Sequence, residues 1–216
     1  FEMKALLKRI RQLREEEKGK RKMTNNVLQI SQRGTEMPLS PIRKLSPLAF
    51  AAEDRGIKVY RLNIGQPDLP TPQCAIDAMK NVDIKILAYS PSQGFKSLRE
   101  KMMGYYAKYN IHITADDIII TNGGSEAVSI CFYEHLEPGD EIIVPEPAYA
   151  NYMSLAVSAG AVICTIPTTI EEGFSLPKVD QFEKLINERT KAILICNPNN
   201  PTGISIRRKE MNQIRD

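Results

Sequence analysis

AILICNPNNPTG, residues 192–203, sets an apolar run directly against a loop rich in amides and prolines. The run 192–196 reads as a strand buried on both faces, the habit of parallel sheets. The loop Asn197-Pro198-Asn199-Asn200-Pro201-Thr202-Gly203 cannot extend it. Proline donates nothing to a ladder, and Asn and Gly favour turns. A rigid polar loop at the carboxyl end of a strand is where open α/β sheets hold their ligands.

The chain upstream repeats that arrangement. From residue 117 the pattern alternates: strand 117–121, helix 125–136, strand 141–144, helix 149–159, strand 161–166, helix 179–188 and strand 191–196. This predicts an α/β fold with a parallel sheet and right-handed crossovers. Earlier, a helix over 41–55 is expected behind Ser40, with Leu48, Ala51 and Ala52 inward and Gly56 as its stop. A strand over 59–64 runs into Gly65-Gln66-Pro67-Asp68-Leu69-Pro70-Thr71-Pro72, where Thr71 caps a helix opening at Pro72. The loop Tyr89-Ser90-Pro91-Ser92-Gln93-Gly94 precedes a helix to about residue 109, with Leu98, Met102 and Tyr105 inward.

Composition narrows the function classes. The 216 residues are 42% apolar and 25% charged, ordinary for a globular protein. No apolar run approaches a membrane span, so no membrane role is expected and the cytoplasm is the default compartment. Residues 1–22 hold nine Lys/Arg and four Glu, a net +5 against +3 for the whole chain. The remainder is therefore net −2, and no nucleic-acid partner is expected. Met3, Leu6, Leu7, Ile10 and Leu13 make residues 1–22 a basic amphipathic helical extension, either solvated or lying on a partner or a membrane surface. Residues 23–55 read as an N-terminal arm and helix, and 56–216 as one sheet-bearing domain. Cys74, Cys131, Cys164 and Cys196 form no CxxC pair and read as reduced core residues. His112 and His135 lack ligand spacing, so no metal site is expected.

Three strand ends carry unusual loops. Asn122-Gly123-Gly124-Ser125-Glu126 opens a helix, where free N–H groups and a positive dipole end can receive a phosphate. Pro145-Glu146-Pro147-Ala148-Tyr149 presents an aromatic ring at the ligand edge, able to stack on a flat ring. The Asn-Pro loop can offer a side-chain amide to a ring oxygen. Together they describe a pocket for a phosphorylated aromatic cofactor.

The segments NIGQPDLPTP, YSPSQGFKSLREKM, ITNGGSEA, PGDEIIVPEPAYANY, GFSL and KAILICNPNNPTG occur in that order. With them, residues 37–216 resemble the N-terminal half of the fold-type I pyridoxal-phosphate aminotransferases, classes I and II. The resemblance implies the parallel-sheet large domain of that fold, incomplete within these residues, since later strands and the small domain lie beyond them. It implies pyridoxal 5'-phosphate as cofactor, and an amino acid and a 2-oxo acid as substrates in amino acid metabolism or biosynthesis. Gly124, Ser125 and Glu126 would bind the cofactor phosphate, mostly through main-chain N–H. Tyr149 would stack on the pyridine ring, and Asn200 would donate to its phenolic oxygen. Tyr89 would reach the phosphate of a neighbouring subunit, which makes a homodimer necessary. Gly65 would lie against the substrate carboxylate. The same resemblance implies cis bonds at Glu146–Pro147 and Asn200–Pro201.

Other features of the family are expected beyond residue 216: its pyridine-nitrogen aspartate, Schiff-base lysine and carboxylate-binding arginine. No lysine up to Lys209 stands in the lysine motif. Residues 1–216 alone are therefore expected to be inactive, and no catalytic residue is assigned within them. Some aspartate-type relatives carry Lys at the position of Ser125, so a dicarboxylate substrate gains no support from this residue. Two alternatives remain beside the aminotransferase: a related pyridoxal-phosphate lyase, and a non-catalytic aminotransferase-like domain.

Overall fold

A computed structural model describes residues 29–40 and 42–215. The expected helix 1–22 lies outside the described residues. The chain divides into two compact units, residues 1–36 and 37–216. In the first, helix α1 (Gln32–Glu36) is closed by a Gln32 side-chain amide that donates to the Glu36 carboxylate at 2.7 Å.

The second unit runs α2 (Ser46–Glu53), α3 (Gln73–Lys80), α4 (Lys96–Ala107), a 3₁₀ turn (Ala115–Asp117) and α5 (Gly124–His135). Then β1 (Glu141–Glu146), α6 (Asn151–Ala159), β2 (Val162–Pro167), α7 (Val179–Glu183), β3 (Thr190–Ile193) and α8 (Arg208–Arg215) follow. The three strands form a parallel sheet in the order β2-β1-β3, as the alternation requires. Ile143 lies opposite Cys164 on one side and Ile193 on the other.

The pleat of β1 explains the core. Ile142 and Val144 point to one face, where Phe132 and Leu136 of α5 and Ala156 of α6 cover them. Ile143 points to the other face, against Ile166 of β2 and Phe182 of α7. Burying each of the larger of these side chains stabilises the fold by about 1.5–3 kcal/mol. Because both faces are covered, β1 reads as a continuous apolar run. Glu141 opens that strand at the edge away from the loops. It is buried and accepts from the Asn187 amide at 2.7 Å while pairing with Arg189 at 2.6 Å.

Several sequence expectations are corrected. Residues 59–64 form turns, not a strand: Leu62 N–H donates to Tyr60 at 3.1 Å and Ile64 N–H to Arg61 at 3.4 Å. Leu62 is 95% exposed there, and no neighbouring strand supplies a ladder among the described residues. Residues 118–121 likewise stay outside the sheet, although Ile118 is buried. The expected helix 41–55 is shortened to α2, with Leu48 70% exposed instead of inward. Ala51 is exposed too, whereas Ala52 is half-buried. In α4, Leu98 and Tyr105 are exposed, and the buried residue is Arg99. The helix expected to open at Pro72 begins at Gln73, and no side-chain hydrogen bond caps it. Helix 179–188 ends at Glu183, and strand 191–196 is regular only over β3, with one further bond from the Leu194 N–H to the Ile143 carbonyl at 2.9 Å. The four cysteines are free thiols, but Cys74 and Cys131 are exposed, because each sits on the outward side of its helix.

Candidate functional site

Helix α5 begins where the sheet's ligand edge is. Its last residues turn through 137–140 straight into β1, so the two run antiparallel. Val128, one turn in from the start, packs into the same cluster as Ala148 and Tyr152 beyond the carboxyl end of β1. Gly123 precedes the helix with φ +84°, a conformation that favours glycine, and no side chain caps the first turn. The main-chain N–H groups of Gly124, Ser125 and Glu126 therefore face outward without helical partners. A Cβ on Gly123 or Gly124 would meet nothing within 4 Å, so the space in front of them is open. The Glu126 carboxylate turns back to accept the Asn122 N–H. Its main-chain N–H is thus the group it offers to an anion. A three-donor cup at the positive end of a 12-residue helix suits a phosphate.

β1 runs two residues beyond the expected 141–144, through Pro145 and Glu146, before the Pro147–Ala148 turn that carries Tyr149. The ring of Tyr149 is half-buried and meets Tyr152 edge-on, with centroids 5.4 Å apart at 83°. Asn151 donates its amide to the Tyr149 hydroxyl at 2.8 Å. Tyr149 opens on a cleft of about 330 Å³, together with Glu146, Ala148, Ile163 and Thr165. Burial pushes the Tyr152 phenol up to about 12, with the Cys196 thiol as a further cause, so Tyr152 is neutral at physiological pH.

The third loop follows β3. Asn199 donates its side-chain amide to the Pro147 carbonyl at 3.1 Å and to the Thr202 hydroxyl at 2.8 Å. The Asn199 main chain closes the loop on itself, N–H to Ile204 and carbonyl from Gly203, each at 2.8 Å. Asn200, next in sequence, is exposed, and its amide is hydrogen-bonded to no other described residue. Glu146–Pro147, Asn200–Pro201 and Asn197–Pro198 are cis; the sequence expectation covered the first two.

The sequence-derived residues thus fall into two groups. Gly124, Ser125 and Glu126 at the start of α5, and Tyr149 and Asn200 on loops, sit at one edge of the sheet. Tyr89 is fully exposed, on a loop tethered to that edge through the Ile120 N–H, which donates to Gln93 at 3.0 Å. Gly65 stands on an exposed turn with nothing within 4 Å of its would-be Cβ, and no described contact brings it to the other residues. Reading the sequence missed Asn199, Thr168 and Arg99. Thr168 donates twice to the Glu146 carbonyl, N–H at 2.7 Å and hydroxyl at 2.6 Å. Arg99 donates to the carbonyls of Ala115 and, at 3.4 Å, Gly94. Among the described residues no cluster of His, Cys, Asp or Glu could hold a metal ion. No helix among them is long and apolar enough to cross a membrane.

Comparison with known proteins bears on the family and the fold. Residues 57–216 match the family model of aminotransferases class I and II. An aspartate aminotransferase of Thermotoga maritima is 34% identical over 83% of this chain and 48% of its own length. One from Pyrococcus horikoshii is 36% identical over 87% and 47%. The solved structure of an alanine aminotransferase from Pyrococcus furiosus superposes with a TM-score of 0.80 at 36% identity, covering 86% of this chain and 48% of that one. The chain spans about half the length of the relatives it matches. Motif order, parallel sheet and sequence similarity converge: this chain belongs to the class I and II aminotransferases.

Proposed function

We propose that this chain supplies the phosphate- and ring-binding part of a pyridoxal-phosphate-dependent aminotransferase. The reaction is transfer of an amino group between an amino acid and a 2-oxo acid. The observation that carries this reading is the convergence of the helix-start cup, Tyr149 and Asn200 at one sheet edge, with two of the three loops bonded to each other.

The residues present fit the cofactor. Gly124, Ser125 and Glu126 offer N–H donors to its phosphate, and the Ser125 hydroxyl adds a fourth. Tyr149, braced by Asn151 and Tyr152, presents a ring face for stacking. Asn200, whose amide is bonded to no other described residue, can donate to the phenolic oxygen and keep the cofactor from rotating on its phosphate. When bound, pyridoxal phosphate supplies the electron sink that amino transfer needs. Gly65, whose missing side chain leaves room, borders the substrate carboxylate in this reading. The exposed Tyr89 reaches the phosphate in a second copy, so the working form is a homodimer. Residues 56–216 are then the N-terminal part of the cofactor-binding large domain, with 23–55 as arm and helix and 1–22 as a basic extension, in a cytoplasmic enzyme.

Purified intact gene product tests this. It should bind pyridoxal 5'-phosphate and convert a 2-oxo acid to its amino acid within a panel of donors. Failure to bind the cofactor would overturn the reading.

A further inference from the structure

Two adjacent carbonyls, at the end of β1 and the start of the loop that carries Tyr149, are held from outside. Thr168, just beyond β2, grips Glu146 through its N–H and its hydroxyl. Asn199, beyond β3, grips the adjacent Pro147 through its side-chain amide. The second bond crosses between the two candidate ring contacts, because Asn199 precedes Asn200 in the chain and Pro147 lies two residues before Tyr149. Asn199 is itself fixed from three directions: by the Thr202 hydroxyl at 2.8 Å, the Ile204 carbonyl at 2.8 Å and the Gly203 N–H at 2.8 Å. Its side chain is half-buried and makes both of its donations inward, so none is left for a ligand. Glu146 and Asn199 also border a small cavity of about 30 Å³ behind the loops, with Tyr152, Phe174 and Cys196 around it.

We infer that Asn199 is a positioning residue, which sets the distance between the Tyr149 ring and the Asn200 amide by bonding the two loops together. The inference rests on the reading of Tyr149 and Asn200 as cofactor contacts. Without the bond each loop keeps its own contact group, but the two no longer share one geometry. The cost is paid in cofactor affinity, because binding must then order the loops.

A double-mutant cycle on the intact gene product tests it, with the dissociation constant of pyridoxal 5'-phosphate as readout. Asn199→Leu should weaken binding about tenfold, the scale of a lost hydrogen bond that also loosens a site. In a Tyr149→Ala background the same change should cost less than about threefold, because there is no ring left to place. The circular dichroism induced in the bound cofactor's absorption band should change in Asn199→Leu while the far-ultraviolet spectrum does not. Losses that simply add, or an unchanged constant, would overturn the inference while leaving the cofactor reading intact. No binding by the unmutated protein would instead overturn the cofactor reading and this inference with it. Thr202→Val provides a second route if Asn199→Leu does not fold. It removes the hydroxyl anchor of Asn199 at little change in volume and should weaken binding about threefold, with Thr202→Ser restoring it. An unchanged constant in Thr202→Val would then count as refutation.

Discussion

Gly94 lies flat against Ile120. A Cβ built on the glycine would come within 2.5 Å of the Ile120 Cβ. Gly94 also has φ +88°, where an L side chain is strained. The contact joins the Tyr89–Gly94 loop to the segment leading into the helix-start cup, and Arg99 reinforces it by donating to the Gly94 carbonyl at 3.4 Å.

Gly94→Ala should therefore be costly on two counts, collision and backbone strain. We expect a loss of about 2 kcal/mol or more in folding free energy. Denaturant unfolding of the purified protein checks this, and a variant as stable as the parent would show that the loop yields instead.

The buried end of β1 should make stability sensitive to acid. The Asn187 amide is the main influence holding the Glu141 carboxyl below its ordinary 4.5, with the Cys164 thiol and Arg189 helping against a desolvation penalty. A carboxyl lowered in the folded state adds stability above its unfolded value, and that stability is lost as pH falls through the folded value. Stability should thus begin to fall below about pH 4.5, the ordinary value, and Glu141→Gln should flatten that part of the curve. Unfolding midpoints measured across acidic pH decide it; identical slopes in the two proteins would contradict the assignment.

Tyr152 should behave oppositely, at high pH. Burial raises its phenol from 10.0 to about 12. A raised value means the neutral form is favoured on folding, so the contribution is complete below pH 10.0 and drains away toward about 12. Ultraviolet titration of tyrosinate should show one fewer late-titrating group in Tyr152→Phe than in the parent. Loss of an early-titrating group instead would place Tyr152 in solvent.

How much of this was legible beforehand follows from which interactions are local. β1 could be read because Ile142, Ile143 and Val144 form an unbroken apolar run between turn signals, the composition of a strand covered on both faces, and all three are buried. The segments 59–64 and 118–121 have similar sequence signals yet join no described sheet. A strand needs a partner to accept its ladder, and partnership is not a property of the segment. The glycine cup could be read because its chemistry is main-chain and contiguous. Asn199 could not, since its decisive acceptor, the Pro147 carbonyl, lies 52 residues away in sequence. Arg99 carries no sequence signal of its own, one charged residue on an amphipathic helix, yet it is only 7% exposed. Cys131 shows the reverse error: it lies among apolar residues, but it is Phe132 beside it that the helix turns inward.

The central claim is that the start of α5, Tyr149 and Asn200 hold one pyridoxal phosphate between them. A crystal structure of the intact gene product with the cofactor bound tests it most directly. The account predicts phosphate density within hydrogen-bond distance of the Gly124, Ser125 and Glu126 N–H groups. It also predicts the pyridine ring against Tyr149 and the Asn200 amide at the phenolic oxygen. Cofactor density elsewhere, or a phosphate at the cup with its ring turned away from both Tyr149 and Asn200, would contradict it.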